Sequence, residues 1–380
     1  MSEHTSVTNT TTADEPGDGP VLQVENLCVY YETSAGPVKA VEDVTFSLKA
    51  GERLALVGES GSGKTTLATA LLKLTKEPGR IAGGRIFLDG RELTQLSEKQ
   101  MRKVRLADVA YVPQGAMNSL NPVLRCGDQI IDGIRAHDNS RSKKELSRHV
   151  ASQLESVNLE PSVARLYPHE LSGGMKQRLA MAISTALSPK VIIADEPTSA
   201  LDVVVQRQIM STLGNLQEGL GAAVVLIGHD MGLVAQFADL VGVMYAGRIV
   251  ELAPVAELFE SPRHPYTRLL IDSLPDLEER RRLTGIPGLP PSLIGLPDAC
   301  AFGARCPYSF DRCEHETPQT QELAPRHEIQ CHLYPEHDRL PPLPEGTDLM
   351  GTHLEAAELL TAERSAERIP DAAHHGSDEA

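Results

Sequence analysis

Apolar and polar positions alternate along the chain in blocks of strand and helix length. The runs Arg53-Leu-Ala-Leu-Val57, Val191-Ile-Ile-Ala-Asp195 and Val224 to Gly228 are short, nearly continuous and apolar, and predict buried strands. Thr65 to Leu74 and Met175 to Leu187 carry helical spacing. Strands alternating with helices from residue 22 to about 260 predict an α/β domain with a largely parallel sheet. Residues 1–20 are polar and Thr-rich and predict a disordered tail. Residues 263–340 are rich in Pro, hold four Cys, and read as a compact appendage. Residues 341–380 set nine acidic residues against Arg364 and Arg368; a mobile acidic tail is expected, with Leu354 to Arg368 as its one helix-like stretch.

The most apolar runs fall far short of the roughly 20 residues that span a bilayer. The first twenty residues lack Lys and Arg and carry Glu3, Asp14, Glu15 and Asp18, so no signal peptide is read there. Location in the cytosol is therefore expected. Composition then narrows the partners. The 380 residues carry a net charge of -16, with 4% aromatics and no Trp. Nucleic acid is disfavoured as a ligand, because neither cations to displace phosphate counterions nor stacking platforms are well supplied.

Chemistry concentrates first in Gly58-Glu59-Ser60-Gly61-Ser62-Gly63-Lys64-Thr65-Thr66, which fits the phosphate-loop pattern between a strand and a helix. Glycines let the backbone N–H groups turn inward toward phosphate oxygens, and the helix N-terminus adds its dipole. Lys64 then reaches the β- and γ-phosphates, and Thr65 ligates Mg²⁺. A second element ends in Asp195-Glu196. Successive strand residues point to opposite sides, so Asp195 suits Mg²⁺ and Glu196 suits the general base that polarises water.

Leu171-Ser172-Gly173-Gly174-Met175-Lys-Gln-Arg178 resembles the signature segment of ABC transporter ATP-binding subunits, with Met where Gln often stands. Ser172 also reads as an ordinary helix N-cap. The resemblance covers about residues 22–340 and implies an ABC ATPase of the P-loop NTPase class. Its parts are a RecA-like core, an antiparallel β-subdomain and a helical subdomain at about 115–188, all within 22–262, followed by a small Cys-containing region at 263–340. It implies further that Ser172, Gly173 and Gly174 face the γ-phosphate held by an opposite subunit, so that two subunits close over two ATP. Gln114, in Tyr111-Val-Pro-Gln-Gly115, resembles the loop glutamine that contacts Mg²⁺ and the attacking water. Asp202, in Ser199-Ala200-Leu201-Asp202, resembles the loop joining the two sites, and His229 the switch histidine on the γ-phosphate. Adenine would stack on an aromatic residue upstream of the phosphate loop; Tyr31 fits the spacing best, with Tyr30 as competitor.

Three segments resemble the dipeptide and oligopeptide importer branch: Met117-Asn-Ser-Leu-Asn-Pro122, Met244-Tyr-Ala-Gly-Arg248 and Pro262-Arg-His-Pro-Tyr266-Thr. That branch implies an ATPase at the cytoplasmic face of the membrane. Its partners are a second ATPase subunit (paralogue or self), two transmembrane permease subunits and, indirectly, an extracytoplasmic substrate-binding protein. Nickel and oligosaccharide importers share the branch, and a non-hydrolysing ATP-binding regulator is the rival from another class.

Six Cys occur, four of them spaced Cys300-x5-Cys306-x6-Cys313-x17-Cys331. Cys28 and Cys126 read as small buried hydrophobes. A cytosolic chain argues against disulfides, and the spacing is not that of a C-x2-C zinc ribbon. Peptide importer subunits with a similar pattern are associated with a 4Fe-4S cluster, so the resemblance implies one on these four residues. Zinc and free thiols are the alternatives, with His315, His327 and His332 as nearby donors.

Overall fold

The structure is a computed structural model that describes residues 19–273, 285–334, 336–337 and 339–342. The expected tails, almost all of residues 1–20 and 341–380 with the Leu354 to Arg368 stretch, lie outside the described residues. Two compact units emerge. One comprises the chain up to Val29, Glu42–Ala55 and Thr65–Gly228; the other comprises Tyr30–Val41, Leu56–Lys64 and the chain from His229 on. The units do not divide at residue 262, because the chain beyond His229 groups with the phosphate loop.

The first elements in chain order are β1 (Leu22–Thr33), β2 (Gly36–Leu48), β3 (Arg53–Val57) and α1 (Lys64–Leu71). Then come β4 (Gly79–Leu88), β5 (Arg91–Glu92), α2 (Glu98–Val104) and β6 (Val109–Val112). A sheet of order β2-β1-β4-β5 uses the alternating pattern of β1, where Leu22, Val24, Leu27 and Val29 are buried. The helical stretch of the first unit holds α3 (Cys126–Arg135), α4 (Lys143–Ser156) and α5 (Gly173–Ser184), which pack on one another. Local sequence starts α4 firmly: Ser142 Oγ accepts from Glu145 N at 3.3 Å, and Glu145 Oε2 accepts from Ser142 N at 2.7 Å. Leu146, Val150 and Leu154, one turn apart, form its buried stripe.

The first unit closes with β7 (Val191–Asp195), α6 (Val203–Leu220) and β8 (Ala223–Ile227). Within it the strand order is β3-β8-β7-β6, and the β6–β7 and β7–β8 pairs are parallel, with Val109 opposite Val191 and Val191 opposite Ala223. Every residue of β7 and β8 is buried, as expected of parallel strands covered on both faces. The second unit adds α7 (Met231–Phe237), β9 (Leu240–Tyr245), β10 (Arg248–Pro254), α8 (Val255–Glu260) and α9 (Pro265–Asp272). The C-terminal region then gives α10 (Asp311–His315), β11 (Gln321–Ala324) and β12 (His327–Ile329). Its strands run in the order β11-β12-β10-β9-β3, with antiparallel β9–β10, β10–β12 and β11–β12 pairs. Residues beyond the expected cassette thus extend a sheet of this unit.

Two helices differ from their sequence expectation. The helix expected from Met175 begins at Gly173 and ends at Ser184, because Ser172 caps it from one residue before the glycines. The helix expected over Thr65 to Leu74 begins at Lys64 and ends at Leu71, with Lys73 at a φ of 50° closing the turn. Among the described residues no helix is long and apolar enough to cross a membrane.

Candidate active site

The second unit carries the phosphate loop between β3 and α1. Gly58, Gly61 and Gly63 have φ of 143°, 78° and 102°, values open to glycine and strained for other residues. Close approach adds to this: a Cβ on Gly58 would stand 2.1 Å from Met244 O, and one on Gly63 2.2 Å from Ala40 O. Lys64 folds back inside the loop, donating to Gly58 O and Glu59 O at 2.8 Å each and to Ser62 Oγ at 3.2 Å. Lys64 is thus buried, with its ammonium held by the loop's own oxygens. Ser60 and Gly61 are exposed at the tip.

In the first unit, Thr65 starts a second set of residues. Its hydroxyl donates to Asp195 Oδ1 at 3.3 Å, and Tyr111 OH donates to Asp195 Oδ2 at 3.1 Å. Asp195 ends β7 with 0% exposure, so a charged carboxylate is buried among fixed donors. Burial first, then the charge of Asp195, pushes the Tyr111 phenol well above its usual range and keeps it a donor. Glu196 follows at a φ of 45°, in the left-handed region. Its Oε2 accepts from Gln114 Nε2 at 2.8 Å, and its N–H donates to Ile227 O at 2.9 Å. Sequence reasoning gave Tyr111 no role, although it stands three residues before Gln114 in β6.

Two helix starts complete the first unit's set. Ser172 is exposed and caps α5, accepting from Met175 N at 3.3 Å. Gly174 is buried, and a Cβ there would meet Val205 Cγ1 at 2.7 Å, so glycine lets α5 approach α6. Asp202 caps α6, accepting from Val204 N at 3.1 Å and Val205 N at 3.0 Å, beside exposed Val203 and Val204. Gly173 is half-buried between the cap and that contact, and Thr66 is half-buried on α1. In the second unit, exposed His229 follows β8, and Asp230 caps α7 by accepting from Leu233 N at 3.0 Å. Tyr31 is half-buried on β1; neighbouring Tyr30 holds Lys39 Nζ over its ring at 5.8 Å.

The cysteine region gives no support to its expected metal. All six Cys are free. Cys300 N donates to Cys313 O at 2.9 Å, and burial followed by the charges of Cys331, Cys300 and Cys313 pushes the Cys306 thiol up to about 12. Burial followed by its neighbours does the same to Cys331, up to about 12. Burial also raises the Cys300 thiol. Among the described residues, however, no group of three or more His, Cys, Asp or Glu stands as ligands to a metal ion. The 4Fe-4S cluster that the resemblance implied on Cys300, Cys306, Cys313 and Cys331 is therefore unsupported.

The family described as "ABC transporter" matches residues 41–199, and the one described as "Oligopeptide/dipeptide transporter, C-terminal region" matches residues 250–313. The chain is 40% identical over 321 residues to the dipeptide transport ATP-binding protein DppD of Escherichia coli (strain K12), covering 84% of this chain and 98% of that one. It is 40% identical over 328 residues to the oligopeptide transport ATP-binding protein OppD of Bacillus subtilis (strain 168), covering 85% and 91%. Among solved structures, the post-hydrolysis dimer of the ATP-binding cassette MJ0796 bound to ADP and Pi matches with a TM-score of 0.56 and 27% identity, over 62% of this chain and 98% of that one.

Proposed function

This chain belongs to the ABC transporter ATP-binding proteins, in their dipeptide and oligopeptide branch, and from that premise we propose how its residues divide the work of ATP hydrolysis. It is an ATPase subunit that energises a peptide importer. Gly58, Glu59, Ser60, Gly61, Ser62 and Gly63 form the loop that cradles the β- and γ-phosphates, with Lys64 leaving its loop carbonyls to meet them. Tyr31 takes the adenine face. Thr65 and Asp195, a hydroxyl and a buried carboxylate 3.3 Å apart, are hard oxygen donors that suit Mg²⁺, with Gln114 as a further oxygen. When bound, that ion neutralises charge developing on the phosphates.

Glu196 is the base. It accepts the proton of the attacking water, while Gln114, now bonded to its carboxylate, orients both. His229 contacts the γ-phosphate. Ser172, Gly173 and Gly174 serve the nucleotide of a second subunit, and Asp202 lies beside the neighbouring site. ABC cassettes dimerise, as the MJ0796 dimer does, and work with permeases. For this chain the partners are a second ATPase subunit, two transmembrane permeases and, through them, an extracytoplasmic binding protein. That places it at the cytoplasmic face of the membrane. The domain reading follows the same division: a cassette at 22–262, with its helical part at about 115–188, and the C-terminal region at 263–340. No step is routed through a metal at the cysteines.

The observation that carries this reading is adjacency: a buried Asp195 joined to Thr65 stands next to a Glu196 joined to Gln114. Steady-state ATP turnover tests it. Lys64→Ala is expected to abolish nucleotide binding and turnover together. Glu196→Gln should keep binding and lower turnover by about 10²- to 10⁴-fold, the range for a lost general base. Unchanged turnover in Glu196→Gln would refute the assignment of the base.

A further inference from the structure

Glu59 is held at each of its polar groups. Its N–H donates to Tyr266 OH at 2.9 Å, and its carbonyl accepts from Lys64 Nζ at 2.8 Å. Its carboxylate accepts from both arms of one guanidinium: Arg305 Nη1 to Oε2 at 2.7 Å and Nη2 to Oε1 at 2.9 Å. The two residues are 246 apart in sequence, and both belong to the second unit. A parallel fork of this kind fixes orientation as well as charge.

Arg305 is itself immobilised. Its side chain is 5% exposed; Nε donates to Pro287 O at 2.7 Å, Nη2 to Ile286 O at 3.3 Å and Nη1 to Tyr245 OH at 3.1 Å. The preceding Phe302 is 1% exposed and meets Tyr245 edge-on at 5.2 Å and Tyr266 at 5.4 Å between ring centroids. The turn between Cys300 and Cys306 is therefore wedged against the phosphate loop by an aromatic cluster. From the same region Pro290, Pro291 and Leu293 line a small cavity of about 20 Å³ with Glu59, Ser60, Gly61 and Ser62.

A carboxylate within a loop that receives phosphates repels them unless its charge is matched. We infer that Arg305 is a positioning residue for nucleotide: by clamping and neutralising Glu59, it keeps the phosphate loop in its receiving shape and ties the cysteine-bearing segment to ATP affinity. This rests on the ATPase reading above.

The test uses the full-length chain, with equilibrium binding of a fluorescent ATP analogue in Mg²⁺ and steady-state turnover of ATP. Arg305→Met should weaken binding about tenfold and raise KM by the same factor, with kcat changed less than about twofold, because the loss falls on ground-state binding. Adding Glu59→Gln to Arg305→Met should recover most of that affinity, since the stranded charge is gone; Arg305→Lys should fall between. A structural role alone would not produce such recovery. Wild-type affinity in Arg305→Met, or losses that multiply in the double variant, overturns the inference. If Arg305→Met does not fold, as judged by its melting curve, wild-type affinity in Arg305→Lys overturns it equally. A wild-type chain that binds the analogue without hydrolysing ATP would refute the ATPase reading and leave the affinity comparison intact.

Discussion

Asp195 shows how single residues set the chemistry. A carboxylate with no exposure keeps its charge only while donors fill its lone pairs, and Thr65 and Tyr111 supply two of them. Removing one leaves a buried charge short of a partner, which costs more than an exposed hydrogen bond. Tyr111→Phe is therefore expected to lower stability by about 1.5–3 kcal/mol in denaturant unfolding, the range for hydrogen bonds to charged groups. Turnover should fall too, since the carboxylate proposed for Mg²⁺ loses its orientation. A variant with wild-type stability would show that Tyr111 merely fills space.

Elements act through their ends and their pairings. Ser172 caps α5 by accepting from Met175 N at 3.3 Å, so Ser172→Ala should cost about 1 kcal/mol in thermal unfolding. That loss alone leaves almost all chains folded. If Ser172 also serves a nucleotide across a dimer, turnover in the assembled protein should drop much further than that small destabilisation explains. Turnover that falls only in step with stability would leave Ser172 a cap. A second element-scale device joins β12 to β10 and α8. His327 Nε2 lies 3.0 Å from Glu251 Oε1, and its Nδ1 lies 3.2 Å from Glu257 Oε2. Burial pulls the His327 pKa down, but the hydrogen bonds and charges of Glu251 and then Glu257 outweigh it and raise it. Nearby His264 also faces the Glu251 charge, yet burial lowers it to about 4, so it stays neutral across the working range. A group with a raised folded pKa stabilises fully below its unfolded value, about 6.5 for His, and that contribution fades as pH climbs through the folded value. Melting temperature should therefore decline from pH 6.5 upward in the wild type, and His327→Gln should flatten that decline. Equal slopes in the two proteins would exclude the staple.

At the scale of the whole molecule, the proposed site is incomplete in one chain, because the proposal gives Ser172 and the phosphate loop different nucleotides. Glu196→Gln with ATP and Mg²⁺ should accumulate a dimer in light scattering, alone or with its natural partner subunit, whereas Lys64→Ala should not. Failure to accumulate any dimer under either condition would sink the two-subunit cycle. The net charge of -16 adds repulsion between copies, so ionic strength should favour the dimer.

Much of the site was legible because its chemistry is written in contiguous residues. Gly58 to Thr65, Asp195-Glu196 and Ser172-Gly-Gly are short contiguous segments at the ends of strands or the start of a helix, and the apolar runs before the first two mark buried strands. The family followed from those segments in order. Long-range pairings were not legible. Tyr111 reaches Asp195 across 84 residues and Arg305 reaches Glu59 across 246, and a tyrosine or arginine alone gives no address for its partner. The four C-terminal cysteines mark the same boundary from the other side. The resemblance implied that they converge as ligands, but no such group stands among the described residues, because spacing along the chain does not fix where side chains meet. Sequence alone therefore determined the phosphate-loop segment, the buried strands and the family. Only the tertiary structure decided which distant side chains hold those groups in place, because packing selects one partner among many that the chain could offer.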